Sequence, residues 1–249
     1  MSADSEPIRP LPPASPELAL LQLLHLADSA LPIGALAHSF GLESLVSNGL
    51  LPVRELEEFL RGYLEETGMV ESVFCREGFR IACTWESERS LVRWCEINEQ
   101  LHAMKPARES RAGSVALGRN FLSAVSALED FSIVRSALEA SAPASGSQAS
   151  VIEHSPAFGL AGGVLGLDEE NVVLAYLHQV AASLISACQR LLPLGQSAAT
   201  RILWSLKPKI IEAATRSASS SIGDVCCFNP LLDWGAMEHP ALSTRLFIS

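Results

Sequence analysis

The stretch DEENVVLAYLHQVAASLISACQRL, residues 168–191, decides the fold. Val173, Leu177, Val180, Leu184 and Leu191 recur at the three-, four- and seven-residue intervals that bring side chains onto one face of an α-helix. Asp168 stands just ahead of the pattern, where a carboxylate accepts from the unpaired amides of a first helical turn. No other stripe in the chain is as clear, so this segment is predicted to be the central core helix, and neighbouring elements must bury their apolar faces against it.

Working outward, the same logic repeats. Ser15-Pro16-Glu17 reads as N-cap, first helical residue and first-turn acid, opening a helix that runs to about Ser29. Leu31-Pro32-Ile33-Gly34 breaks it, and a short helix is predicted over residues 35–46, ending at Asn48-Gly49. From Pro52, the residues Val53, Leu56, Phe59, Leu60, Tyr63 and Leu64 form an amphipathic stripe, with Arg54, Glu57, Glu58 and Arg61 between them. Further helices are predicted over 70–83, 88–104 with Ser87 as cap, 107–128, 131–140, 196–206 and 209–219. SAPASGSQAS, residues 141–150, is small, polar and aperiodic and reads as a loop, and a Ser-, Gly-, Asn- and Pro-rich irregular segment precedes the tail. No strand-length alternating run competes. The expectation is an all-α, single compact multi-helix bundle: a mobile, disordered arm over 1–15, a helical domain over 16–236 and a C-terminal tail over 237–249.

Composition agrees. The chain is 48% hydrophobic with only 9 Phe, 4 Trp and 2 Tyr, so Leu and Ala dominate its core, and both lose little freedom in a helix. Eighteen basic residues against 28 acidic ones give a net charge of −10, which repels nucleic-acid phosphates and anionic lipid heads at long range. Uninterrupted apolar runs such as AFGLAGGVLGL, residues 157–167, fall far short of the roughly 20 residues a spanning helix needs. The Pro-rich, acidic start MSADSEPIRPLPPASPE lacks the basic flank and apolar core of a secretory signal, which predicts a cytoplasmic protein. Its six cysteines, four of them inside helical patterns, read as free thiols.

Reaction chemistry is hard to find. The Gly-rich GLAGGVLG, residues 159–166, has no Gly-Lys-Ser/Thr ending and no preceding strand, so it reads as tight helix packing and not as a phosphate cradle. No paired-Cys or His-Glu-x-x-His spacing suggests a metal; Cys226-Cys227 with His239 is the nearest approach. Ala37-His38-Ser39-Phe40-Gly41 approximates the nucleophile elbow of an α/β-hydrolase-like esterase, with Ser39 as nucleophile, but it follows a Pro-Gly break in a helix-rich chain. Asp28, His38 and Glu43 interrupt an otherwise apolar region, as caps and helix-surface residues do. His25, His102 and His178 read as packing residues.

Four stretches carry a family resemblance: LLHLADSALPIGALAHSFGLES (23–44), HSPAFGLAGG (154–163), LLPLGQSAATRIL (191–203) and MEHPALSTRLFIS (237–249). Together they resemble the urease accessory protein UreF family. The resemblance implies an all-α homodimer, not an enzyme, that sits between UreD (also called UreH) and the GTPase UreG, regulates the GTPase and helps deliver nickel to apo-urease. It implies no cofactor of its own, with nickel at most in transit. The resemblance also implies that Asp28, His38, Ser39 and Glu43 of the first motif, Gln196 of the PLGQ motif, and Met237, Glu238, His239, Arg245, Leu246 and Phe247 of the tail lie at dimer or partner contacts, with Arg245 facing the GTPase. Pro240 and Ile248 depart from the family pattern, which commonly has Glu and Arg there. A generic helical interaction module unrelated to nickel is the other non-enzymatic reading.

Overall fold

The computed structural model describes residues 15–141 and 151–249. Of the predicted N-terminal arm (1–15) and the predicted loop (141–150), residues 1–14 and 142–150 lie outside the described residues. In chain order the α-helices are α1 (Pro16–Leu26), α2 (Leu42–Ser47), α3 (Leu56–Tyr63), α4 (Met69–Cys83), α5 (Ser87–Met104), α6 (Arg108–Leu128), α7 (Ser132–Ala140), α8 (His154–Val164), α9 (Glu169–Leu191), α10 (Gln196–Ser205), α11 (Lys207–Ala218) and α12 (Pro230–Glu238). Among the described residues there is no strand. The all-α bundle expected from periodicity is the fold.

Local chemistry starts the helices where the sequence placed them. Ser15 Oγ accepts from the Leu18 amide at 3.3 Å, and Asp168 Oδ1 accepts from Asn171 at 2.9 Å. Helix α9 packs against α1, α2, α4, α8, α10 and α11, as a core helix must. It is also the one helix among the described residues long and apolar enough to cross a membrane, and 56% of that stretch is buried within the protein.

The closest helix pair is α4 with α8. Every residue of α8 (HSPAFGLAGGV) is buried, and its small residues let the α4 backbone approach. A methyl group on Gly159 would overlap the Cys75 carbonyl oxygen, and one on Gly163 would lie 2.5 Å from that of Phe79. A helix buried on all sides has no polar face, so it leaves no 3.6-residue stripe to read. That is why periodicity found a packing segment there but no helix boundaries.

Five further differences are each confined to a few residues. The predicted helix over 35–46 is interrupted: a short 3₁₀ turn at Ala35–Ala37 is followed by Phe40 (φ 50°) and Gly41 (φ 95°), and only then by α2. Gly41 is held by packing as well as by its dihedral, because a Cβ there would lie 2.6 Å from the Ala236 amide nitrogen of α12. Helix α1 ends at Leu26, and α3 runs into α4 through a wide π-helical turn at Leu64–Gly68 instead of ending. Ser87 is the first helical residue of α5, the cap position falling on Glu86. Helix α12 was missed inside the irregular segment, although Asn229-Pro230 carries a cap and first-residue signal: Asn229 Oδ1 accepts from Leu232 at 3.4 Å.

One buried ion cluster ties three helices together. Arg76 of α4 is 3% exposed; it donates to Glu169 Oε1 at 3.2 Å and to Glu170, both in the first turn of α9. It also donates to Ser217 Oγ at 2.9 Å and the Ala214 carbonyl at 2.8 Å of α11. Both carboxylates keep some solvent and rehydrate when the cation is removed, so Arg76→Ala is expected to cost about 2 kcal/mol, less than a fully buried pair would. Urea unfolding checks this through a lowered midpoint at unchanged slope.

Candidate functional site

The C-terminal tail lies back on the first motif, and Glu43 holds it there. Glu43 is in the first turn of α2, directly after the Phe40-Gly41 turn, and is 3% exposed. Its Oε1 accepts from the Leu246 amide at 2.6 Å and its Oε2 from the Phe247 amide at 3.1 Å. The same Oε2 lies 2.9 Å from His239 Nε2, so both carboxylate oxygens are committed. His239, fully buried at the end of α12, has its other ring nitrogen 2.6 Å from Glu109 Oε2 of α6. Arg245 closes the ring, its Nη1 3.4 Å from Glu109 Oε1.

The segment beyond Arg245 is held by backbone hydrogen bonds as well. Ile248 N donates to the Ala37 carbonyl at 2.8 Å, and the Ser249 carbonyl accepts from Ser39 N and, at 3.1 Å, from Phe40 N. Ser249 Oγ is 2.7 Å from His38 Nδ1. Burial holds the His38 imidazole below the usual histidine range, so its neutral form is favoured. Arg190, in the last turn of α9, places its guanidinium 4.2 Å from the Phe247 ring centroid and donates to the Leu36 carbonyl at 2.8 Å. Phe247 faces the core, whereas Met237, Leu246 and Ile248 face outward.

The fold therefore brings together His38, Ser39, Glu43, His239, Arg245, Leu246 and Phe247 from the two ends of the chain, with Met237 and Glu238 beside them in the last turn of α12. Two expected residues are elsewhere. Asp28 stabilises the turn after α1, its Oδ1 accepting from Ala30 at 2.8 Å, and Gln196 opens α10, accepting from Gln189 Nε2 at 2.8 Å. Glu109 and Arg190 had no sequence signal, because a first-turn acid and a last-turn base are ordinary helix-end residues and each acquires its role only from the tail packed on it. Ser39 is fully buried with its Oγ accepting from the Glu43 amide at 3.4 Å, and it precedes a short helix instead of following a strand. It is built as a turn residue, not as a presented nucleophile.

A second polar centre lies deeper. Lys105, after α5, sits between Glu71 Oε1 at 2.8 Å and Glu153 Oε2 at 3.0 Å. Burial opposes its charge, but the two carboxylates outweigh burial and raise its pKa. Burial likewise opposes ionisation of Glu153; Lys105, with His102 2.8 Å from the other carboxylate oxygen, holds it below the usual range. Lys105 and Glu71 border a cavity of about 100 Å³ that Tyr63, His154, Tyr176 and Gln179 also line. Burial pushes His154 down to about 4, so it is neutral near pH 7. Among the described residues no group of three or more His, Cys, Asp or Glu is arranged to hold a metal ion.

The most elaborate polar site of this all-helical body fastens its own tail. The sequence model of the UreF family matches residues 53–207, and the chain belongs to that family. Proteins named urease accessory protein UreF from Nostoc sp., Bradyrhizobium sp. and Corynebacterium glutamicum are similar to it. The first is 30% identical over 231 residues, covering 92% of this chain and 95% of that protein. The other two are each 31% identical, over 233 and 231 residues, covering 93% and 91% of this chain and 92% and 96% of theirs.

Proposed function

We propose that the chain is a cytoplasmic, homodimeric adaptor of urease maturation that bridges UreD (UreH) and the GTPase UreG, regulates that GTPase and supports nickel insertion into apo-urease. It needs no cofactor and performs no bond chemistry; nickel is the cargo of the assembly. The observation that carries this reading is the Glu43-locked tail, which fixes Arg245 and Leu246 on the surface beside Met237 and Glu238. A peptide segment already ordered loses little further conformational entropy when a partner docks on it.

Arg245 is 44% exposed at its side chain and makes one long contact with Glu109, so truncating it leaves the fold intact. Arg245→Ala is expected to weaken UreG binding about tenfold, the scale of a moderate interface arginine, with UreD binding unchanged. Titration calorimetry with each purified partner measures both, and undiminished UreG affinity removes the role. At the level of the cell, deletion should leave urease made but poor in nickel, and a deletion strain with normally metallated urease would refute the adaptor reading.

A further inference from the structure

Helices α10 and α11 are separated by Leu206 alone, and helical hydrogen bonding runs through the junction: Leu206 N donates to the Ile202 carbonyl at 3.1 Å and Ile210 N to the Leu206 carbonyl at 3.0 Å. The two act as one rod. At about 100° per residue, Arg201, Trp204, Pro208, Ile211 and Thr215 fall within one stripe roughly 80° wide, and all five are exposed. Ala199, Leu206, Ile210, Ala213 and Ala214 are buried on the inner side. Trp204 is 70% exposed and Ile211 56%, so the stripe leaves a large aromatic and a β-branched side chain in water, far from the tail in sequence.

The cations around this stripe are left outside ion pairs. The protein carries ten more acids than bases, and most of its described cations are engaged: Arg61, Arg76, Arg80, Arg93, Arg135 and Lys209 all pair with carboxylates. Arg201, Lys207 and Arg216 have no carboxylate within 4.0 Å among the described residues, and Lys207 instead lies 3.6 Å from the Trp204 ring centroid. Of the acids on the outer side, Glu212 is already bound to Lys209 at 3.1 Å. An exposed tryptophan with Lys207 stacked on its ring and Arg201 one turn away, both outside any ion pair within 4.0 Å among the described residues, has the composition of an interface anchor.

We propose that the outer face of the α10–α11 rod docks an acidic, apolar-centred segment of another protein, Trp204 filling its apolar centre and Arg201, Lys207 and Arg216 meeting its carboxylates. A second copy of this chain laid stripe on stripe across a two-fold axis would oppose cations to cations, which costs energy instead of gaining it. The inference rests on the docking role proposed above and gives that role a second surface, separate from the tail.

The test uses the full chain with Trp204→Ala, and with Arg201→Glu and Arg216→Glu combined, titrated against purified UreD, UreG and apo-urease at low and at physiological salt. All three positions are exposed, so unchanged thermal unfolding confirms that the variants fold. At least one of the three proteins is expected to lose about tenfold or more in affinity for both variants, the charge-reversal loss shrinking as salt rises. Equal affinities of wild type and variants for all three overturn the proposal while leaving the adaptor role standing. A change in the chain's own mass by light scattering, with partner affinities unchanged, also overturns it and makes the stripe a contact between copies. Failure of the wild type to bind any of the three sinks the adaptor role, and the stripe proposal with it.

Discussion

Glu43→Ala should free the C-terminal tail while leaving the helical body folded. The substitution strips the Leu246 and Phe247 amides and His239 Nε2 of one shared acceptor in a buried place, and each buried group left unpaired costs about 1–3 kcal/mol. The tail has a cheaper escape than global unfolding, because undocking returns both amides to water. The cost therefore appears locally, as a loss of about 3 kcal/mol in tail docking, or roughly a hundredfold faster hydrogen exchange at Leu246 and Phe247. Trypsin should also cleave after Arg245. Glu43→Gln keeps one carbonyl acceptor and should fall between the two. If exchange at both amides in the Ala variant matches the wild type, Glu43 does not hold the tail, and the site described above loses its centre. Under the proposed adaptor role the same variant should recruit UreG more weakly than Arg245→Ala does, since it disorders the whole segment that presents the arginine.

Gly159→Ala should produce the largest loss of global stability among single-methyl additions. The new methyl would overlap the Cys75 carbonyl and lie 3.0 Å from the Phe79 amide nitrogen, and both are helical backbone that cannot rotate away. Helices α4 and α8 would have to separate along a fully buried face. Overpacking of this kind costs about 3 kcal/mol, or roughly 10 °C in melting temperature for a domain of this size. Gly62→Ala is the matching control, since it lies in α3 with nothing within 4 Å of its added methyl. There the better helix propensity of Ala should stabilise by up to about 1 kcal/mol. Thermal melts of the two variants should thus move in opposite directions; a Gly159→Ala melt at or above wild type would show that the close α4–α8 approach is not what the glycine serves.

Most of the helices were legible because their causes are local. Caps at Ser15 and Asp168 and the stripes of α3 and α9 need only neighbours within a few residues. Where a helix was wholly buried, as α8 is, its polar face and its signal vanished together. Where a break depended on tertiary contact, as at Gly41 against α12, the local pattern read straight through it. The candidate site was legible by resemblance alone: its two motifs lie at opposite ends of the chain, and spacing gives no hint that they touch. Asp28 and Gln196, which the resemblance also singled out, lie away from the tail, in the turn after α1 and at the start of α10.

By itself, then, the amino-acid sequence determined the helical class, the place of the core helix and the family. Hydrophobic periodicity and capping act over one or two turns, so they are written in consecutive residues. Only the tertiary structure decided that Glu43 accepts from residues some two hundred positions later, that Glu109 and Arg190 join it, and that Trp204 stands exposed on the outer face with Lys207 on its ring. A hydrogen bond between chain ends has no local signature, because its geometry exists only after every intervening helix has packed.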